Sequence, residues 1–80
     1  VKLSILRFIL GITLAWTPAT TNYYKVFEIR SGSHYLLGST GYGSPSFTIV
    51  HVKRGTHQYV VRAVNAVGQS GDSNVISYKQ

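Results

Sequence analysis

Gly55-Thr56-His57-Gln58-Tyr59-Val60-Val61-Arg62-Ala63-Val64-Asn65-Ala66-Val67-Gly68-Gln69-Ser70 is the stretch on which the fold turns. Its first part is a β-strand: Tyr59, Val61 and Ala63 share one parity, and the residue types are those that suit a pleated, half-buried surface. Asn65 and Gly68 then supply turn chemistry. A strand with one apolar face needs a second layer to cover it. The rest of the chain carries the same kind of signal and no sustained helical period.

Strands are expected at residues 2–8, 12–16, 23–30, 35–37, 47–52, 58–65 and 74–78. Turn or loop residues separate them. Thr17-Pro18-Ala19-Thr20-Thr21-Asn22 breaks the pattern, Ser31-Gly32-Ser33 ends the third strand, and Lys53-Arg54-Gly55 makes a turn. Residues 38–46 hold three Gly and one Pro and read as a loop. Seven short strands with turns every eight to twelve residues predict an all-β, seven-stranded antiparallel sandwich. The expected core is Leu14, Trp16, Phe27, Ile29, Phe47, Ile49, Tyr59, Val61 and Ala63.

Eighty residues make one domain, 1–80. There is no cysteine, so packing has to supply what a disulfide would. Apolar residues are 44% and charged residues 12%, which excludes a disordered composition. The formal charge of +6 comes from eight Lys and Arg against two acids. These cations are scattered, only Lys53 and Arg54 being adjacent. That predicts a basic surface that is solvated or meets an acidic neighbour, and no nucleic-acid partner.

The N-terminal apolar run resembles a signal segment, but Arg7 interrupts it and it resolves into alternation. Val1, Leu3 and Ile5 share one parity; Leu6, Phe8, Leu10, Ile12, Leu14 and Trp16 share the other. A bend or bulge is therefore expected at Ile5-Leu6. The run is too short and polar for a membrane helix, and no membrane insertion is expected.

Ile12-Thr13-Leu14-Ala15-Trp16-Thr17-Pro18 resembles the second-strand signature of fibronectin type III domains, a hydrophobic alternation ending in Trp-x-Pro. Phe27-Glu28-Ile29-Arg30 is similar to that family's third strand, Phe47-Thr48-Ile49 with Val52 to its fifth, and Arg62-Ala63-Val64-Asn65 with Gly68 and Ser70 to its sixth strand and exit. The resemblance spans nearly the whole chain and implies an immunoglobulin-like sandwich. The approach to the sixth strand departs from it: Val52 stands for the family's Leu, Arg54 for its Pro, and one extra residue precedes Tyr59. Counting back from Asn65, His57 falls where the family's corner tyrosine stands, the residue whose hydroxyl ties the turn to upstream backbone. Tyr59 with a bulge, His57 itself, or neither could fill that role. A narrower likeness, in Phe27–Tyr35 with Leu37-Gly38-Ser39-Thr40 and in the approach through Gly55-Thr56-His57-Gln58-Tyr59, is to fibronectin-like domains of bacteriophage tail-tip and host-specificity proteins. It implies a structural spacer in a longer chain or larger assembly, located in a virion tail or outside a cell.

The residues offer little chemistry. His34, His51 and His57 are potential metal ligands, with Glu28 and Asp72 the only acids, and zinc needs three or four well-placed ligands. No metal and no cofactor are expected. Nothing resembles a nucleophile elbow, Asp72 among Gly and Ser reads as a turn residue, and residues 38–46 lack the Lys of a phosphate loop. No enzyme is expected. Tyr35 and Tyr42 are natural contact residues. Tyr23, Tyr24 and Val26 give one strand apolar character on both faces, so a neighbour is expected to cover its outer side. The expected interaction surface is thus Tyr23, Tyr24, Val26, Tyr35 and Tyr42. It would serve a structural module of a phage tail or virion protein that packs on neighbouring subunits or a host surface. The alternative is an extracellular adhesion module or an accessory module of a carbohydrate-active enzyme.

Overall fold

A chain of strands that are each apolar on one side buries those sides by stacking two sheets. The computed structural model describes residues 2–8, 11–18, 21–50, 52–71 and 73–80, and of Phe8 the backbone alone. Among these residues the strands are β1 (Leu3–Phe8), β2 (Gly11–Trp16), β3 (Tyr23–Arg30), β4 (Ser33–Gly41), β5 (Ser46–Val50), β6 (Thr56–Val64) and β7 (Ile76–Lys79). They form two antiparallel sheets, ordered β1-β2-β5 and β4-β3-β6-β7.

The core lies between the sheets. Leu3, Ile12, Leu14 and Trp16 come from the smaller sheet, and Tyr24, Val26, Tyr59, Val61 and Tyr78 from the larger. Each such side chain contributes about 1.5–3 kcal/mol when taken from water. Trp16 meets Tyr24 edge-on at 5.2 Å, an arrangement that suits the ring quadrupoles. Among the expected core residues, Leu14, Trp16, Tyr59 and Val61 are in this cluster, and Phe47, Ile49 and Ala63 pack against it partly buried.

β3 corrects the expected parity. Tyr24, Val26 and Glu28 point inward, while Phe27 and Ile29 lie on the outer face and are only partly buried. The strand is apolar on both parities, so the pattern did not choose. A slip of one residue moves every side chain to the other face.

β4 is longer than expected. It reaches Gly41, so residues 38–41 belong to a strand and not to a loop. The eight residues of β3 offer a full ladder, and a bulge between Val26 and Phe27 absorbs the mismatch, leaving Leu37 without a register partner. The hairpin before it turns on Ser31 and Gly32, with φ of 50° and 78°. Two central residues of positive φ are the signature of the tight turn that matches strand twist. After β4 the chain is tied down: Ser44 N–H donates to Gly41 at 3.0 Å, and the Thr40 hydroxyl donates to the Ser44 carbonyl at 2.7 Å.

β1 also differs. Its register with β2 runs unbroken from Leu3↔Trp16 to Phe8↔Gly11, with Leu3 inside and Leu6 exposed, so the expected bend at Ile5-Leu6 is not there. Gly11 opens β2 where a Cβ would run into the carbonyl of Ile49. Val1, Leu10, Ala19, Thr20, the possible ligand His51 and the turn residue Asp72 lie outside the described residues, as does Ile9.

Past Val64 the exit of the opening stretch behaves as its residues require. The Asn65 side-chain oxygen accepts the N–H groups of Val67 and Gly68, at 2.9 and 3.2 Å, which closes the turn. Serines then stand in for a longer β7. The hydroxyls of Ser73 and Ser70 accept from Val61 N–H and Ala63 N–H, at 2.9 and 3.0 Å.

Candidate functional site

Two places on this sandwich carry polar or exposed apolar groups that packing alone does not explain. One is an end of the inter-sheet space. Glu28 and Arg30 lie two apart on β3, so both side chains face the same way. His57 lies on β6 one position beyond the residue paired with Ile29. The Glu28 carboxylate takes an Arg30 N–H on Oε1 and His57 Nδ1 on Oε2, both at 2.9 Å. The side chain of Glu28 is only 11% exposed, whereas Arg30 is 53% exposed. His57 Nε2 donates to the Lys53 carbonyl at 2.7 Å.

These contacts settle the corner position. His57 reaches back four residues to main-chain oxygen, the tie that the family makes with a tyrosine hydroxyl. Tyr59 is buried in the core and its ring stacks beside His57 at 6.2 Å. The signal was in the sequence: a residue with two ring nitrogens standing where the corner tyrosine is expected. Glu28 and Arg30 were missed, although a lone Glu amid alternating apolar residues, with a cation two positions on, was legible.

Electrostatics follow from the geometry. Burial pushes the Glu28 carboxyl up, but hydrogen bonds from Arg30 and His57, with their charges, more than offset it and hold it below its ordinary 4.5. The same bond to Glu28 raises His57 above its ordinary 6.5, against the opposing effect of burial and with help from the Lys53 carbonyl. Tyr59 is pushed up to about 12 by burial first and by the Glu28 charge second. Beside the ion group opens a cleft of about 430 Å³, with Leu37, Ile49 and Val52 as apolar wall and Lys53 at its rim.

The second place is the outer face of the larger sheet. Phe27 is paired with Leu36 on β4 and Val60 on β6, and Ile29 follows on the same face. Leu36 is 57% exposed. Arg62 lies over the Phe27 ring at 5.2 Å, and His34 meets that ring edge-on at 5.7 Å. Lys25, directly opposite Arg62, adds a second cation. The only described carboxylate side chain, Glu28, faces the other way.

The expected contact residues are not brought together. Tyr24 and Val26 are core residues with no exposed surface, so their place in an interaction surface is corrected. Tyr23 keeps partial exposure on the outer face, and Tyr42 follows its partner Gly41 at the same end of the sheet. Tyr35 pairs with Glu28 at the far end, roughly 17 Å along β3. There the Arg30 guanidinium lies over its ring at 4.9 Å.

Among the described residues no group of three or more His, Asp or Glu could hold a metal ion. No described helix is long and apolar enough to cross a membrane.

Solved structures share this architecture. The chain is similar to the crystal structure of FN3tt, with a TM-score of 0.76 at 18% identity over 88% of this chain and 75% of that one. The fold is fibronectin type III-like. The structure of FN3tt mut is similar at the same TM-score of 0.76, with 14% identity over 98% of this chain and 87% of that one. No protein-family model and no curated protein matches the sequence.

Proposed function

We propose that the chain is a non-catalytic structural module of a phage tail or similar virion protein, packing against a neighbouring subunit through the outer face of β4, β3 and β6. The observation that carries this reading is the row Phe27, Ile29 and Leu36 on the outer face of the larger sheet, where Leu36 is exposed and Phe27 and Ile29 partly so around the buried Val60. Apolar side chains grouped on one exposed face mark contact surfaces more often than single scattered ones do. The neighbour has acidic character, since this chain carries +6 overall and Lys25 and Arg62 border the row. The tail-protein part rests on the likeness of Phe27–Tyr35 and of the approach to β6 through Gly55 and His57. The site chemistry is consistent with a module that holds and does not react: Glu28, the carboxylate of the cleft, is already engaged by Arg30 and His57.

An image of the chain in its native assembly tests the reading. Phe27 and Leu36 are expected beneath a neighbouring subunit, with carboxylates near Lys25. Full solvation of that face would sink it. Recovery of the chain as a monomer that binds a glycan would favour the adhesion module instead.

A further inference from the structure

Both ring nitrogens of His57 face oxygen acceptors. Nδ1 is 2.9 Å from a carboxylate oxygen of Glu28, and Nε2 is 2.7 Å from the carbonyl oxygen of Lys53. A main-chain carbonyl accepts and never donates, and so does an ionised carboxylate. Two acceptors at these distances need two N–H donors, and an imidazole carries two only as the cation. The neutral ring has one, whichever tautomer it takes, and so would set a nitrogen lone pair against an oxygen lone pair on the other side, at no more than 2.9 Å.

We propose that His57 is a proton-operated pin at the corner between β5 and β6: with a proton on each ring nitrogen it fastens the turn of Lys53 to β3, and on losing one it releases one of the two. The released state frees the rim of the cleft, because Lys53 and His57 both line it.

The surroundings support the charged form. From β3 the ring faces the Glu28 carboxylate and, behind it, the Arg30 guanidinium, whose charge Glu28 takes up. From the turn it faces Lys53 through that residue's carbonyl oxygen, and Lys53 also lines the cleft. From its own strand Tyr59 stacks on it, a neutral phenol at any ordinary pH. From β7 its register partner is Tyr78, whose hydroxyl is turned to Gln80 at 2.5 Å. One carboxylate in contact, opposed by one cation that the same carboxylate already binds, favours keeping the second proton.

Nitrogen-detected NMR of the His57 ring in the intact chain decides the matter, with an unstructured peptide of residues 53–60 as reference. His57 is expected to carry protons on both nitrogens at the midpoint of the peptide histidine, and to titrate at higher pH. Glu28→Gln is expected to bring the His57 midpoint toward that of the peptide. A His57 ring with a single proton at or below the peptide midpoint overturns the pin. Trypsin cleavage after Lys53 or Arg54, relative to an unstructured peptide of the same residues, reads the release. The relative rate is expected to rise several-fold from mildly acid to mildly alkaline solution, and a ratio independent of pH also overturns the proposal. Should Glu28→Gln not fold, the ring NMR and the cleavage ratio of the unaltered chain still decide whether the pin exists.

Discussion

Asn74 grips Leu3 by both of its main-chain groups: its Oδ1 accepts the Leu3 N–H at 2.7 Å, and its Nδ2 donates to the Leu3 carbonyl at 3.1 Å. A side-chain amide thus imitates a peptide group and adds one rung to β1 from outside its sheet. The two residues are 71 positions apart, so this rung joins the start of the smaller sheet to the approach to β7 in the larger one.

Replacing Asn74 by Ala removes both bonds and leaves the polar groups of a buried residue without partners. The expected loss is about 1–3 kcal/mol. In a domain of this size each kcal/mol lowers the melting temperature by about 4–8 °C. Urea unfolding should show a lower midpoint at unchanged slope, since no surface is newly exposed in the folded state. A shift within about 0.5 kcal/mol, the range of ordinary surface substitutions, would mean that water takes over the rung.

The correction at β3 makes a contrasting pair of variants. Tyr24→Ala opens a cavity in the centre of the core, where aromatic truncations cost about 3–5 kcal/mol. A small domain without disulfides has little more than that to lose. Tyr42, 69% exposed in the turn after β4, should change stability by no more than about 0.5 kcal/mol when truncated to Ala. Thermal melts of the two variants side by side check the assignment. Equal effects would return Tyr24 to the surface.

The same strand marks the limit of what the sequence could tell. Where one parity was clearly apolar, as in Ile12, Leu14 and Trp16, the buried face was readable and is the one found; on β6 Tyr59 and Val61 are inside as read, but Val60 between them is buried as well. On β3 five apolar residues are spread over both parities, and the tie is broken by Glu28. A carboxylate pointing inward argues against that face until its partners are known. Those partners are Arg30, two residues away, and His57, twenty-nine away with β4 and β5 between, and no periodicity connects the latter. The strand nature of residues 38–41 was hidden for a related reason. Gly, Ser and Thr signal a loop locally, but the ladder on β3 overrides that preference.

Gly11 shows how closely β2 and β5 approach. A methyl group there would overlap the backbone of Ile49, which cannot swing aside as a side chain could. Gly11→Ala is therefore expected to lose about 1–3 kcal/mol despite the usual entropic gain of replacing a glycine. Gly38→Ala meets the Phe47 ring at 2.8 Å instead, and a ring can rotate, so its loss should be smaller. Denaturant midpoints of the two variants, measured together, check the order. A larger loss at Gly38 would place the rigid contact on the wrong strand.

The pH profile of stability has two limbs with opposite signs. Glu28 has a folded pKa below its ordinary 4.5, so its contribution is complete above that value and is lost as the pH falls through the lowered one. His57 has a folded pKa above its ordinary 6.5, so its contribution is complete below that value and is lost as the pH rises through the raised one. Between the two the ion group is intact, and stability should form a plateau there that declines on both sides. Because Glu28 belongs to both interactions, Glu28→Gln should flatten the acid limb and shrink the alkaline one, which would end at a lower pH. His57→Gln should remove the alkaline limb and leave part of the acid one, since Arg30 still bonds Glu28. Urea midpoints taken from about pH 3 to about pH 9 distinguish these outcomes. An alkaline limb that survives unchanged in His57→Gln would assign it to some other group.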